Sequence, residues 1–297
     1  MVVSILRGLL IVFGGVYAII FGRDYSIAAK TKKLEENISV AKSAIIGFIT
    51  NLFDTLGIGS FATSIALFKA LKLNIPDKNI PGTLNVCHTI PIITQALIYT
   101  TVVKVDPLTL IVLIAAAVVG SYLGAGIISK MDEKKVQIIV GIALGVAAVI
   151  MFLSHPWIDK MPGGGTATGL TGAKLLIGAV GNFLLGALMT AGIGLYGPCM
   201  AMVYFLGMSP TVAYPIMMGS CALLMPVSSA KFIKEGAYCK KVSLPVAISG
   251  IFGVIVAVKF FTGLPMDYLK LVVIVVIAYT SATMLRSALK KEKLINN

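Results

Sequence analysis

Charge is what this sequence has least of. Only 12% of its 297 residues are Asp, Glu, Lys or Arg, against about 25% in a soluble globular domain. With 58% hydrophobic residues in long, unbroken runs, a soluble enzyme domain is excluded. The alternating segments of an outer-membrane barrel are absent too. Histidine is nearly missing: His88 and His155 are the two, and no cluster has metal-ligand spacing, so no metal and no cofactor is expected. The four cysteines, Cys87, Cys199, Cys221 and Cys239, form no CxxC pair. Three lie in apolar segments, which excludes a disulfide framework. No GxxxxGK[ST] motif occurs, so any transport is secondary or passive unless a partner supplies energy. What remains is an all-α, polytopic transmembrane bundle whose first partner is the lipid bilayer. The net charge of +13 does not indicate a nucleic-acid partner, because lysines flanking membrane spans are expected from the positive-inside rule.

Residues 1–22 have the apolar core of a signal peptide but the wrong charge order. Arg23, Lys30, Lys32 and Lys33 follow the run and outnumber Arg7 before it. An uncleaved first span, or a helix in the membrane interface, is expected instead. Beyond it the sequence repeats at an offset of 135 residues. Gly57-Ile58-Gly59 recurs as Gly192-Ile193-Gly194, Pro91 as Pro226, and Met131-Asp132 as Met266-Asp267. Just before the glycines the offset is 131 and matches Asn51 with Asn182. The organisation reads as an N-terminal helix and charged segment (1–42), a first repeat (43–153), a flexible Gly-rich linker (154–173), a second repeat (174–290) and a tail (291–297). Each repeat has four elements: A at 43–71 and 174–207, B at 82–103 and 213–234, C at 107–129 and 243–261, and D at 135–153 and 268–289.

Element A is too long for one span and is broken by Gly-x-Gly, which predicts two half-length helices returning as a re-entrant hairpin. Lysine and arginine support this. They are dense at 23–42, 69–78, 130–135, 231–241 and 286–293, which together hold 19 of the 25 basic residues. If each hairpin returns to its own side, all five segments fall inside. Three further crossings then invert the second repeat relative to the first, the plan of many secondary transporters.

At each hairpin tip a helix begins, and its first N–H groups carry the positive end of the dipole. Two such starts near a pseudo-twofold axis would hold a small anion without any basic side chain. Gly57, Gly59 and Ser60 form the first tip. Gly192, Gly194, Tyr196, Pro198 and Cys199 form the second, with Pro198 suited to a helix start. Element B supplies the polar remainder: Asn85, Cys87, His88 and Gln95 in the first repeat, Ser220 and Cys221 in the second. The cysteines either pack or line a path. Asp54, the one acidic residue inside an apolar run, either takes up a coupling proton or caps the nearby turn.

The stretch GIGLYGPCMAMVYFLGMSPTVAYPIMMGSCALLMPVSS (192–229) and its degenerate partner at 57–95 resemble the TauE/SafE sulfite-exporter family. That resemblance implies a two-repeat permease moving sulfite, sulfonates or sulfoacetate across the inner membrane; the proton as coupling ion is the expectation from Asp54, not from the resemblance. The family motif maps onto Gly57, Gly59, Gly192, Gly194 and Pro198. Where the family shows a further glycine this chain has Ser60 and Leu195, and Thr63 stands opposite Pro198. A passive anion channel, or a membrane thiol enzyme relaying through Cys87, Cys199 and Cys221, are the alternatives to a carrier. No residue is read as catalytic.

Overall fold

The computed structural model describes residues 2–35, 38–76, 79–128, 133–158, 165–189, 195–263 and 265–295. Among them are eleven α-helices and no strand. They are α1 (Val2–Lys30), α2 (Val40–Thr55), α3 (Ser60–Ala70), α4 (Ile80–Val102), α5 (Pro107–Ile128), α6 (Glu133–Leu153), α7 (Gly172–Met189), α8 (Tyr196–Phe205), α9 (Ala213–Glu235), α10 (Lys240–Thr262) and α11 (Met266–Ile295). Five stretches are long and apolar enough to cross a membrane: Val3–Lys30, Gly172–Met189, Pro210–Glu235, Lys240–Phe260 and Lys270–Leu289. The 23-residue α4 is long enough but too polar to count among them. Its Thr83, His88, Thr89 and Gln95 are buried, so protein rather than lipid surrounds its polar face.

The chain divides into two compact units. The first comprises Met1–Val102 and Cys221–Thr262. Here α10 lies against both α2 and α4. The approach to α2 is close because small residues stand at the crossing. A Cβ on Gly47 would come within 2.5 Å of the Val246 backbone, and one on Gly253 would overlap the Phe48 carbonyl. α1 rests on α4 through a stripe at helical spacing, Leu6, Leu10, Tyr17 and Phe21, all buried. Its Tyr17 hydroxyl donates to the Val86 carbonyl at 2.6 Å. The other faces of α1 expose Ile5, Leu9, Ile11, Val12, Val16 and Ile19, the surface a lipid-facing span presents.

The second unit comprises Val103–Ser220 and Gly263–Asn297. α5 packs on α7, and α6 on α11. The same device recurs: a Cβ on Gly120 would overlap the Phe183 carbonyl, and one on Gly186 the Ala117 carbonyl. The Ser281 hydroxyl closes the α6–α11 contact by donating to Gly141 O at 2.6 Å. The described part of the linker is tied down. Asp106 N–H donates to Thr168 O, Ser209 N–H to Ala167 O, and Leu170 N–H to the Thr109 hydroxyl.

The helix limits fall close to the expected elements, and the first A element is broken at Leu56–Gly59 as expected, while the expected break of the second, at Gly192 and Gly194, lies outside the described residues. The arms differ from the half-and-half expectation. The first arms, α2 and α7, have 16 and 18 residues, and the second arms, α3 and α8, have 11 and 10. At 1.5 Å per residue the first arms run about 24 and 27 Å and the second arms about 15 to 17 Å. The long arms are the ones whose glycines engage α10 and α5, so packing extends them. One packing relation was not foreseen: the first arm of each A element lies against element C of the other repeat, α2 on α10 and α7 on α5.

Candidate functional site

The site is built where α2 stops. Gly57 N–H donates to Asp54 O at 2.8 Å, and Leu56 and Ile58 N–H both donate to Phe53 O. The chain then needs φ of +98° at Gly57 and +89° at Gly59, which glycine alone adopts without strain. α3 begins at Ser60, with Gly59, which has no side chain to cap with, in the capping position. Its leading N–H groups carry the positive end of the helix dipole. Ser60 is buried.

α4 crosses both arms and holds them with buried polar side chains. Gln95 Nε2 donates to Asp54 Oδ2 at 2.9 Å. The Tyr99 hydroxyl donates to Thr55 O at 2.9 Å. His88 bridges the arms: Nδ1 lies 3.0 Å from Asn51 Oδ1 on α2, and Nε2 lies 2.9 Å from Ser64 Oγ on α3. The Asn51 amide nitrogen donates to Gly47 O, which turns its oxygen toward the ring. His88 therefore carries its proton on Nδ1, and Nε2 accepts from the Ser64 hydroxyl. Asp54, at 2% exposure, lies in a water-excluded polar cluster one turn from the helix break.

Element B's other candidates point elsewhere. Asn85 is half-buried, and its Oδ1 accepts from the Ser228 hydroxyl on α9 at 3.0 Å. One turn on, Thr89 and Ser229 hydroxyls meet at 2.8 Å. Cys87 lies in an apolar cluster with Ile46, Phe68, Leu84, Cys239 and Val246. Cys221 is buried on α9, and all four cysteines are free thiols.

In the second unit Gly192 and Gly194 lie outside the described residues. The rest of that tip is described. α8 opens at Tyr196 with the apolar Leu195 in the capping position, and Tyr196, Pro198 and Cys199 are buried. A Cβ on Gly197 would press on Thr280 of α11 at 2.9 Å. Asn182 on α7 donates to Leu113 O at 2.7 Å and sits 3.5 Å from the hydroxyl of Ser220 on α9. Asn182 and Ser220 thus face each other as Asn51 and His88 do in the first unit.

Sequence reasoning missed Ser64, Tyr99 and the bridging use of Asn51. The Asn51–Asn182 match was the available signal, but it marked the repeat and not a contact. At the α9–α10 turn, where Tyr238 and Cys239 lie between spans, the Tyr238 hydroxyl donates to Asp24 and Lys240 pairs with the same carboxylate. Glu35 accepts from the N–H groups of Lys240 and Lys241 and so caps α10. Burial, then Asp24, raises the Tyr238 phenol above its usual value. Burial, then Glu35, pushes the Cys239 thiol up to about 12.

Among known proteins, the family model described as "Sulfite exporter TauE/SafE" matches residues 1–151. The match covers the N-terminal helix and all but the end of 43–153, whereas the stretch 192–229 that resembles the family lies beyond it. No curated protein and no solved structure matches the chain.

Proposed function

Because the chain belongs to the TauE/SafE sulfite exporter family, a family of membrane transporters, we propose that it is a proton-coupled secondary carrier of small sulfur-containing anions such as sulfite, sulfonates or sulfoacetate. Its place is the inner membrane, with 23–42, 130–135 and 231–241 on the cytoplasmic side and the two repeats inverted. The observation that carries the reading is the break between α2 and α3. A helix start with glycine in the capping position and a buried serine follows six residues after the buried carboxylate Asp54. The helix start supplies donors for an anion, and Asp54 supplies a place for the proton that accompanies it.

The α3 start offers backbone N–H groups and the Ser60 hydroxyl, and the α8 start offers a second such set. Two or three charge-assisted hydrogen bonds at about 1.5–3 kcal/mol each suffice for micromolar-to-millimolar binding. A lysine in their place would bind tighter, cost more to bury and release more slowly. The central apolar segments accordingly carry no basic residue.

The test is a thermal-shift and flux screen of the purified, reconstituted protein against sulfite, sulfate, thiosulfate, taurine and sulfoacetate. Sulfite or a sulfonate should stabilise the protein and cross the vesicle membrane faster than in protein-free vesicles. No stabilisation and no added flux with any of the five would overturn the assignment.

A further inference from the structure

The amide of Gln95 is satisfied at one end only. Its Nε2 donates to Asp54 Oδ2 at 2.9 Å, while its Oε1 is buried and has no hydrogen-bond partner. Gln95 itself is fully buried. An orphaned amide oxygen is a costly defect in a water-excluded site. Turning the amide over exchanges Nε2 and Oε1, which are nearly equal in size, and brings the orphan opposite Asp54. Two oxygens attract there only with a proton between them. An ionised Asp54 therefore demands the present orientation, and a protonated Asp54 can donate its O–H to Oε1 in the other.

We propose that Gln95 is a positioning residue that reads the protonation state of Asp54: its amide donates to the ionised carboxylate and turns over to accept from the carboxylic acid when the coupling proton binds. The step forms one O–H bond on Asp54, taken from an incoming proton, and breaks it on release. The proposal rests on Asp54 as the coupling site. The main-chain carbonyl of Asp54 accepts from Gly57 N–H, so the residue that carries the carboxyl is tied to the turn that leads into α3. The titratable groups on the elements packed against α2 are Cys87, His88 and Tyr99 on α4, Lys69 on α3, and Lys240, Lys241 and Lys259 on α10, with Lys42 on α2 itself. His88 and Tyr99 are committed to Asn51, Ser64 and Thr55. Lys240 is paired with Asp24, and Lys42 donates to Leu71 O.

The experiment measures sulfite flux against pH for the full chain in vesicles. It compares the parent with Gln95→Leu and Asp54→Asn, with Gln95→Met in place of the leucine variant if that does not fold. Infrared difference spectra of the protonated carboxyl accompany it. The lost bond to the charged form is the stronger one, so the flux midpoint of Gln95→Leu should move to higher pH by about one unit. The carboxyl stretch should move to higher frequency as its acceptor disappears. If Asp54→Asn flattens the profile but Gln95→Leu shifts neither midpoint nor band, the role of Gln95 is overturned and the coupling site stands. If Asp54→Asn keeps the parent profile, both fall.

Discussion

Replacing His88 by alanine separates a clasp from a ligand. Both ring nitrogens are engaged by protein, one with each arm of the broken helix. Removing the ring leaves Asn51 Oδ1 buried without that donor, at a cost of about 1–3 kcal/mol. The Ser64 hydroxyl recovers more cheaply, because it can turn to the carbonyl one helical turn back. The ring also packs beside Phe61, with centroids 6.1 Å apart, so a cavity follows. Together these put the loss at roughly 3–5 kcal/mol, a melting temperature lower by on the order of 10 °C. The assay is thermal unfolding of the purified protein in detergent, with sulfite binding measured alongside. His88→Gln should lose less than half as much, since its amide can still donate to Asn51. An unchanged melting temperature in His88→Ala, with sulfite binding abolished, would refute the reasoning and make His88 a ligand.

Gly59→Val should destabilise the protein by roughly 1–3 kcal/mol through backbone strain alone. Its φ is +89° and an added Cβ meets nothing within 4 Å, so sulfite flux should fall without any collision; Gly8→Val, in open space at ordinary φ, is the control. Gly47→Leu should fail to give a monodisperse peak on size exclusion, because its side chain would enter the α10 backbone. The Cys239 thiol has a folded-state value above its ordinary one, so the stability it contributes is intact below the ordinary value of 9.0 and lost as pH rises toward 12. The parent's melting temperature should therefore fall more steeply than that of Cys239→Ser across that window, and equal slopes would contradict the assignment. An impermeant amine reagent applied from outside should miss Lys30, Lys134 and Lys234; strong labelling there would overturn the topology.

The helix plan was legible because lipid makes it so. A span must be long and apolar, and a break must carry glycine or proline, so 82–103 and 213–234 anticipated α4 and α9 almost to the residue. Gly57 and Gly59 were legible for the same reason, since only glycine serves at their dihedrals. The unequal arms were not legible, because hydropathy does not report where a helix is extended by packing on a partner far along the chain. Nor was the bridge from Asn51 through His88 to Ser64, which joins residues up to 37 apart. Cys87 reads equally well from sequence as a small packing residue or a reactive thiol, and only its apolar neighbours show where it lies. Gln95 was placed among the substrate candidates on spacing. Its pairing with Asp54 could be seen only once α2 and α4 stood side by side.

As proposed, an anion and a proton move together through this fold. The direct measurement is sulfite movement into vesicles holding the reconstituted protein, with sulfite equal on both sides, a pH gradient imposed, and the movement into protein-free vesicles subtracted. Net uphill sulfite movement that collapses with a protonophore and is lost in Asp54→Asn is expected. Sulfite that stays equal on both sides whatever the gradient, while labelled sulfite still exchanges, would contradict it and identify a passive pore.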